Sequence, residues 1–191
     1  MITDGALDDP KVDAVFGLHV GTGQLGMVSS RPGGTTAAAD GFRIIVHGKQ
    51  THGAFPAGGV DPIVVGSQIV LAFQTIISRQ VNLSTAPAVI TVGAFQGGLR
   101  ENIIPDSVWM IGTIRTLSDA TQKVSHEALK RVAEETAKAA GATADVTIEL
   151  GYPVNNNDPA LTERSARVLD AAFGRENAIR LPSASMTAED F

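Results

Sequence analysis

Hydrophobic positions in this chain follow two spacings, a period of two and a period near 3.6, and the order in which they occur outlines a fold. In residues 13–20, Ala14, Val15, Phe16, Leu18 and Val20 surround His19 and read as a short buried strand. Glycine and serine then thicken over residues 21–34, a loop or crossover. From Gly41 onward Phe42, Ile44 and Val46 alternate with Arg43, Ile45 and His47, as a half-buried strand requires. After a loop over residues 48–59, Asp61 is an N-cap and Pro62 a first helical residue. Ile63, Ile69, Val70, Phe73, Ile76 and Ile77 then form an inward stripe. Residues 89–95 and 107–115 read as strands separated by a break at Gly97-Gly98. Ser118 caps a second helix whose inward face is read as Val124, Ala128, Val132 and Thr136, ended by Gly141. Val146, Ile148 and Leu150 close the series as a strand.

Strand, helix, strand, strand, helix, strand is the ferredoxin-like order, a four-stranded antiparallel sheet with two helices on one face. Beyond it, Gly151-Tyr152-Pro153 and Asn155-Asn156-Asn157 mark a boundary, and Asp158-Pro159 starts a third helix with Leu161, Val168, Leu169 and Phe173, closed by Gly174. The outer segments are too small to bury cores of their own. The expected class is therefore α/β (α+β): a ferredoxin-like βαββαβ domain at 41–150, inserted between two pieces, 1–40 and 151–191, of another domain.

Composition narrows the possibilities. Among 191 residues, 15 Lys and Arg stand against 20 Asp and Glu, a formal charge of −5. Such a chain lacks the basic footprint for nucleic acid or anionic lipid. Cysteine is absent, which excludes disulfides and thiol catalysis within this stretch. No apolar run reads as a membrane span, and the N-terminus lacks signal-peptide character, so a cytoplasmic location is expected.

Few residues offer chemistry. His19, at the end of an apolar strand, reads either as a core histidine or as a metal ligand. His52 lies among small residues in a loop, free to meet a ligand or simply exposed. His47 sits in a strand, and His126 reads as a helix-surface residue beside Glu127. Asn102 can bond a carbonyl, and Arg115, at a strand end, is either a carboxylate clamp or a solvated charge. Glu189 and Asp190 are paired carboxylates suited to metal or acid–base work, or else an acidic tail.

Taken in order, the pieces carry more. They are Phe16-Gly17-Leu18-His19-Val20, Gly48-Lys49 with His52 and Pro56, Val60-Asp61-Pro62-Ile63, Gly97-Gly98, Asn102-Ile103-Ile104-Pro105-Asp106, Gly112-Thr113-Ile114-Arg115 and Glu189-Asp190-Phe191. This series resembles the hippurate-hydrolase and indole-acetyl-amino-acid-hydrolase group of metal-dependent amidohydrolases, within the aminoacylase and di-metal exopeptidase superfamily. The resemblance implies a catalytic α/β domain holding two divalent metals, zinc or manganese, with a lid domain that forms a homodimer. It implies that His19 is a metal ligand and that His52 reaches a neighbouring subunit's site to stabilise an oxyanion. Asn102 and Arg115 would hold the substrate's amide and carboxylate, and Glu189 would line the pocket. The implied substrate is an N-acyl amino acid or a peptide-like small molecule. The family's Cys-x-His pair, adjacent glutamates and final histidine are not in this sequence, so the expectation is a fragment, inactive alone. A non-catalytic dimerisation or small-molecule-binding module is the alternative.

Overall fold

A computed structural model describes residues 2–84 and 86–190. In chain order the elements are β1 (Val28–Ser30), β2 (Gly33–Thr36), β3 (Ala38–His47), β4 (Thr51–His52), α1 (Pro62–Gln80), β5 (Ala88–Gly97), β6 (Ile103–Ile104), β7 (Ser107–Thr116), α2 (Asp119–Ala139), β8 (Thr143–Tyr152), β9 (Asn155–Asn157), α3 (Pro159–Phe173) and β10 (Ala178–Arg180). The central sheet runs β5-β7-β3-β8 and is antiparallel at every pairing. This is the ferredoxin-like arrangement that the element order predicts.

Period two decides the sheet's faces. Ala38, Asp40, Phe42, Ile44 and Val46 of β3 are buried, as are Val108, Met110 and Ile114 of β7. They meet Val65, Ile69, Phe73 and Ile76 of α1 and Ala128, Leu129, Ala133 and Ala137 of α2. Phe42 and Phe73 pack edge to face at 6.0 Å. Replacing Phe73, fully buried at this junction, by alanine is expected to lower unfolding free energy by about 3–5 kcal/mol, read from the denaturant midpoint.

The caps form as read. Asp61 Oδ1 accepts from Ile63 N and Val64 N, and Ser118 accepts from Thr121 N. The phase of α2 differs from expectation: Ser125, Ala128, Leu129, Ala133 and Ala137 are buried, while Val124 is exposed. Two neighbouring stripes of this helix are apolar, and the small residues of the second admit closer approach to sheet and α1. Ile63 of α1, read as inward, is likewise exposed. With 19 residues, α1 is long and apolar enough to cross a membrane by length and composition, against the expectation that no run is. In this fold one face of it is core.

Outside the sheet, β1 pairs with β10 in parallel and β2 with β9 antiparallel. The asparagine run, read as marking a boundary, forms the strand β9. Asn157 Nδ2 donates to the Arg31 carbonyl at 3.0 Å and to Thr35 Oγ1 at 2.8 Å, replacing turn chemistry with cross-strand bonds. Residues 13–20 form no strand among the described residues: they have no regular secondary structure and are exposed, Leu18 at 87% and Val20 at 88%. An apolar run makes a strand only where a partner supplies the ladder bonds, and among the described residues none lies alongside.

Candidate functional site

The predicted residues assemble into two groups. In the first, the loop leaving β3 folds back so that β4 pairs with β6, bringing His52 opposite Ile103. Gly53 N donates to the Asn102 carbonyl at 2.8 Å, which places Asn102 beside His52 on an exposed tip. Ala54 N donates to His52 Nδ1 at 3.1 Å. A ring nitrogen that accepts cannot carry the proton, so the neutral imidazole presents Nε2–H outward. The ring leans on Phe55, 5.7 Å between centroids. The tip thus holds one aimed donor and one carboxamide.

In the second group the logic is inverted. His19 Nδ1 donates to the Val20 carbonyl at 2.7 Å, so the ring's other nitrogen, on a side chain that is 74% exposed, is the one that can meet a second group. That Nε2 stands 3.5 Å from Glu189 Oε2. An imidazole lone pair beside a carboxylate is a donor set that suits zinc or manganese. It is incomplete, since among the described residues no three His, Cys, Asp or Glu side chains converge. Glu189 reaches this place because Thr36 bridges Ser185 and Ala37 N donates to the Thr187 carbonyl at 2.8 Å. Phe191, the last residue of the terminal motif, lies outside the described residues.

Arg115 belongs to the same end of the sheet. It faces Ala39 on β3 and Val89 on β5, next to the Ala38–Thr116 pair where β3 begins. Its Nη1 is buried without a hydrogen-bond partner, as is the nearby Thr116 Oγ1. A guanidinium nitrogen hidden from water and unpaired is costly unless a ligand completes it.

The two groups do not meet in one chain. On β7, Ser107 pairs with His47 at the His52 end, and Arg115 stands eight residues further along. At the rise of a strand that separation is about 26 Å.

One cluster was not anticipated. His126, read as a surface residue, donates from Nε2 to Asp40 Oδ2 at 2.8 Å and is 18% exposed. A signal was available, since Asp40 is a carboxylate in the otherwise apolar, helix-facing row of β3.

Residues 36–141 match the model of the peptidase dimerisation domain. The chain is 37% identical over 195 residues to the N-acetyl-L-cysteine deacetylase of Bacillus subtilis, covering 100% of this chain and 45% of that protein. It is 30% identical over 192 residues to the hippurate hydrolase of Campylobacter jejuni, covering 100% and 50%. A crystal structure from methicillin resistant Staphylococcus aureus superposes with a TM-score of 0.85 at 33% identity, covering 97% of this chain and 48% of that one. A dinuclear metal binding peptidase of the M20 family from Bacillus subtilis gives 0.63 at 26% identity, covering 86% and 39%. The chain spans about half the length of the curated relatives it matches.

Proposed function

The chain belongs to the peptidase dimerisation-domain family, and from that premise we propose that it is the central part of a metal-dependent amidohydrolase that works as a homodimer on N-acyl amino acids or related amides. The observation carrying this reading is the split site. His52 with Asn102 and His19 with Glu189 and Arg115 are each preset for half of one reaction, at opposite ends of a sheet that cannot fold upon itself. A second copy closes the gap.

In this reading His19 and Glu189 contribute to holding divalent cations, with further ligands from segments beyond this chain. Bound there, two such ions would polarise the scissile carbonyl and make water acidic enough to be activated. The chain's own residues do the rest. Arg115 takes the substrate carboxylate in a forked pair that satisfies its buried Nη1. From the other subunit, His52 donates Nε2–H to the oxygen that gains charge as the amide carbon becomes tetrahedral. Asn102, fixed to the same tip, offers its carboxamide to the amide group. Because Nδ1 of His52 accepts from Ala54 N, the Nε2–H donor is already in place and no shift between the ring nitrogens is needed before reaction.

The β5 edge supports the pairing. Its ten residues carry no charge, whereas the opposite edge, β8, carries Asp145 and Glu149. Beside β5 the outer face of α1 leaves a groove lined by Val70, Leu71, Val92 and Phe95, with Leu71 70% exposed. Two copies related by a two-fold axis would extend the sheet antiparallel and cover this groove. Leu71→Glu puts a charge at its centre and is expected to shift sedimentation from dimer to monomer without loss of helix signal. A dimer that survives the substitution places the interface elsewhere.

The decisive assay uses the chain extended to the length of its relatives, with release of amino acid from N-acetyl and N-benzoyl amino acids as readout. Hydrolysis should vanish with a chelator and return with zinc or manganese. Hydrolysis indifferent to chelation, or none across a broad N-acyl panel, would sink the proposal.

A further inference from the structure

Asp40 is a buried carboxylate that accepts three hydrogen bonds, and nothing in the reaction above uses it. Its side chain is 1% exposed, in the helix-facing row of β3. Oδ2 accepts from Gln122 Nε2 at 2.7 Å and from His126 Nε2 at 2.8 Å, both on α2 and one turn apart. Oδ1 accepts from the backbone N–H of Gly151 on β8 at 3.1 Å. One side chain therefore ties its own strand to a helix and to a neighbouring strand.

The bond to Gly151 falls at an irregularity. Ala39 pairs with Tyr152 and Gly41 with Glu149, so Leu150 and Gly151 together oppose Asp40 alone. That is a β-bulge, two residues against one. A Cβ on Gly151 would lie 1.9 Å from the Ala39 carbonyl oxygen, so only glycine permits this approach. The bulge is thus specified twice, by the acceptor on Asp40 and by the missing side chain on Gly151.

Its location gives it a consequence. Ala39, beside the bulge, is the residue opposite Arg115 on β7. On the other flank β8 leaves the sheet toward β9, which pairs with β2 just before β3 begins. The β2 side of that connector carries the bridge to Ser185 and the bond to Thr187, and so leads to Glu189. We propose that Asp40, held by Gln122 and His126, is a positioning residue: it keeps the bulge in one conformation and thereby sets where Arg115 and the β2/β9 connector stand. The link to substrate rests on the proposed function; the link to the connector does not. Without the carboxylate, three N–H donors face one another in a dry site, and opening the bulge to water is the cheapest relief.

Amide hydrogen exchange on this 191-residue chain tests the connector, comparing Asp40→Asn with the gentler His126→Gln, which keeps Asp40 should the first variant not fold. Asparagine turns an NH₂ group on the donors of Gln122 and His126. The amides of Gly151, Tyr152, Arg115 and Asn155–Asn157 are expected to exchange about tenfold faster. Those of Ile44 and Met110 in the sheet centre should change by less than about twofold. Uniform acceleration across the sheet overturns the proposal, because the carboxylate then adds stability and positions nothing. Unchanged exchange at Gly151 overturns it equally.

In the enzyme-length protein Asp40→Asn should raise KM for an N-acyl amino acid about tenfold while kcat stays within about threefold. A fall in kcat with KM unmoved contradicts positioning of Arg115. If the enzyme-length wild type hydrolyses nothing, the proposed activity fails and the exchange pattern alone decides for or against Asp40.

Discussion

Equal amounts of enzyme-length His52→Ala and His19→Ala subunits, each inactive alone, are expected to recover about a quarter of wild-type hydrolysis once subunits have exchanged. His52→Ala removes the imidazole donor held on the tip, and loss of one oxyanion donor lowers kcat by about 10²–10³. His19→Ala removes the ring nitrogen Nε2 that faces Glu189. The variants damage different halves of the reaction. In a mixed dimer, the subunit that lacks His52 keeps its own His19 and receives His52 from its partner, which makes one intact site. The other site lacks both. Half of randomly paired dimers are mixed, and half of their sites work. Recovery fails if the two groups converge within one chain, a result that would require the separation along β7 to be bridged by rearrangement. Residual activity unchanged after mixing, with exchange verified by labelled subunits, would rule out the shared site.

Arg115→Met should move binding and stability in opposite directions. In the proposed site Arg115 pairs with the substrate carboxylate in a dry corner, and truncating one partner of such a pair raises KM about a hundredfold. Without substrate, Nη1 is already buried and unpaired. Methionine retains the aliphatic stem and removes the orphaned donor, so the chain itself should gain about 1 kcal/mol in the denaturant midpoint. A group that costs stability while raising affinity is what a ligand site requires. Unchanged KM would show that Arg115 serves the sheet and not the substrate; lower stability would show that Nη1 has a partner from water.

Much of the fold was legible because its determinants are local. The side chains of Asp61, Ser118 and Asp158 accept from amides two or three residues away, so capping depends on neighbours in sequence. Period-two alternation in β3 and β7 names the buried face without knowledge of what covers it. What failed was whatever depends on a distant partner. Residues 13–20 read as a buried strand from their apolar run, but among the described residues they have no ladder to join. The stripe on α2 was misplaced by one position, since the sheet and α1, not the helix, select among its apolar faces. His126 looked like a surface residue because Asp40 lies 86 positions earlier in the chain.

The site divides in the same way. His19, His52, Asn102, Arg115 and Glu189 could be named from residue type and the order of short motifs, since those features belong to the chain alone. Their grouping could not. That His19 meets Glu189, and that His52 and Arg115 stand at opposite ends of one sheet, follows from strand register and rise, which fix separations only after pairing. The tautomers were decided later still, by whether a backbone N–H or a backbone C=O happens to face each ring. Sequence by itself determined which residues are candidates for the chemistry. Tertiary structure decided which of them can act together, because hydrogen bonds and ligand bonds are made over about 3 Å, a distance that only a packed fold sets.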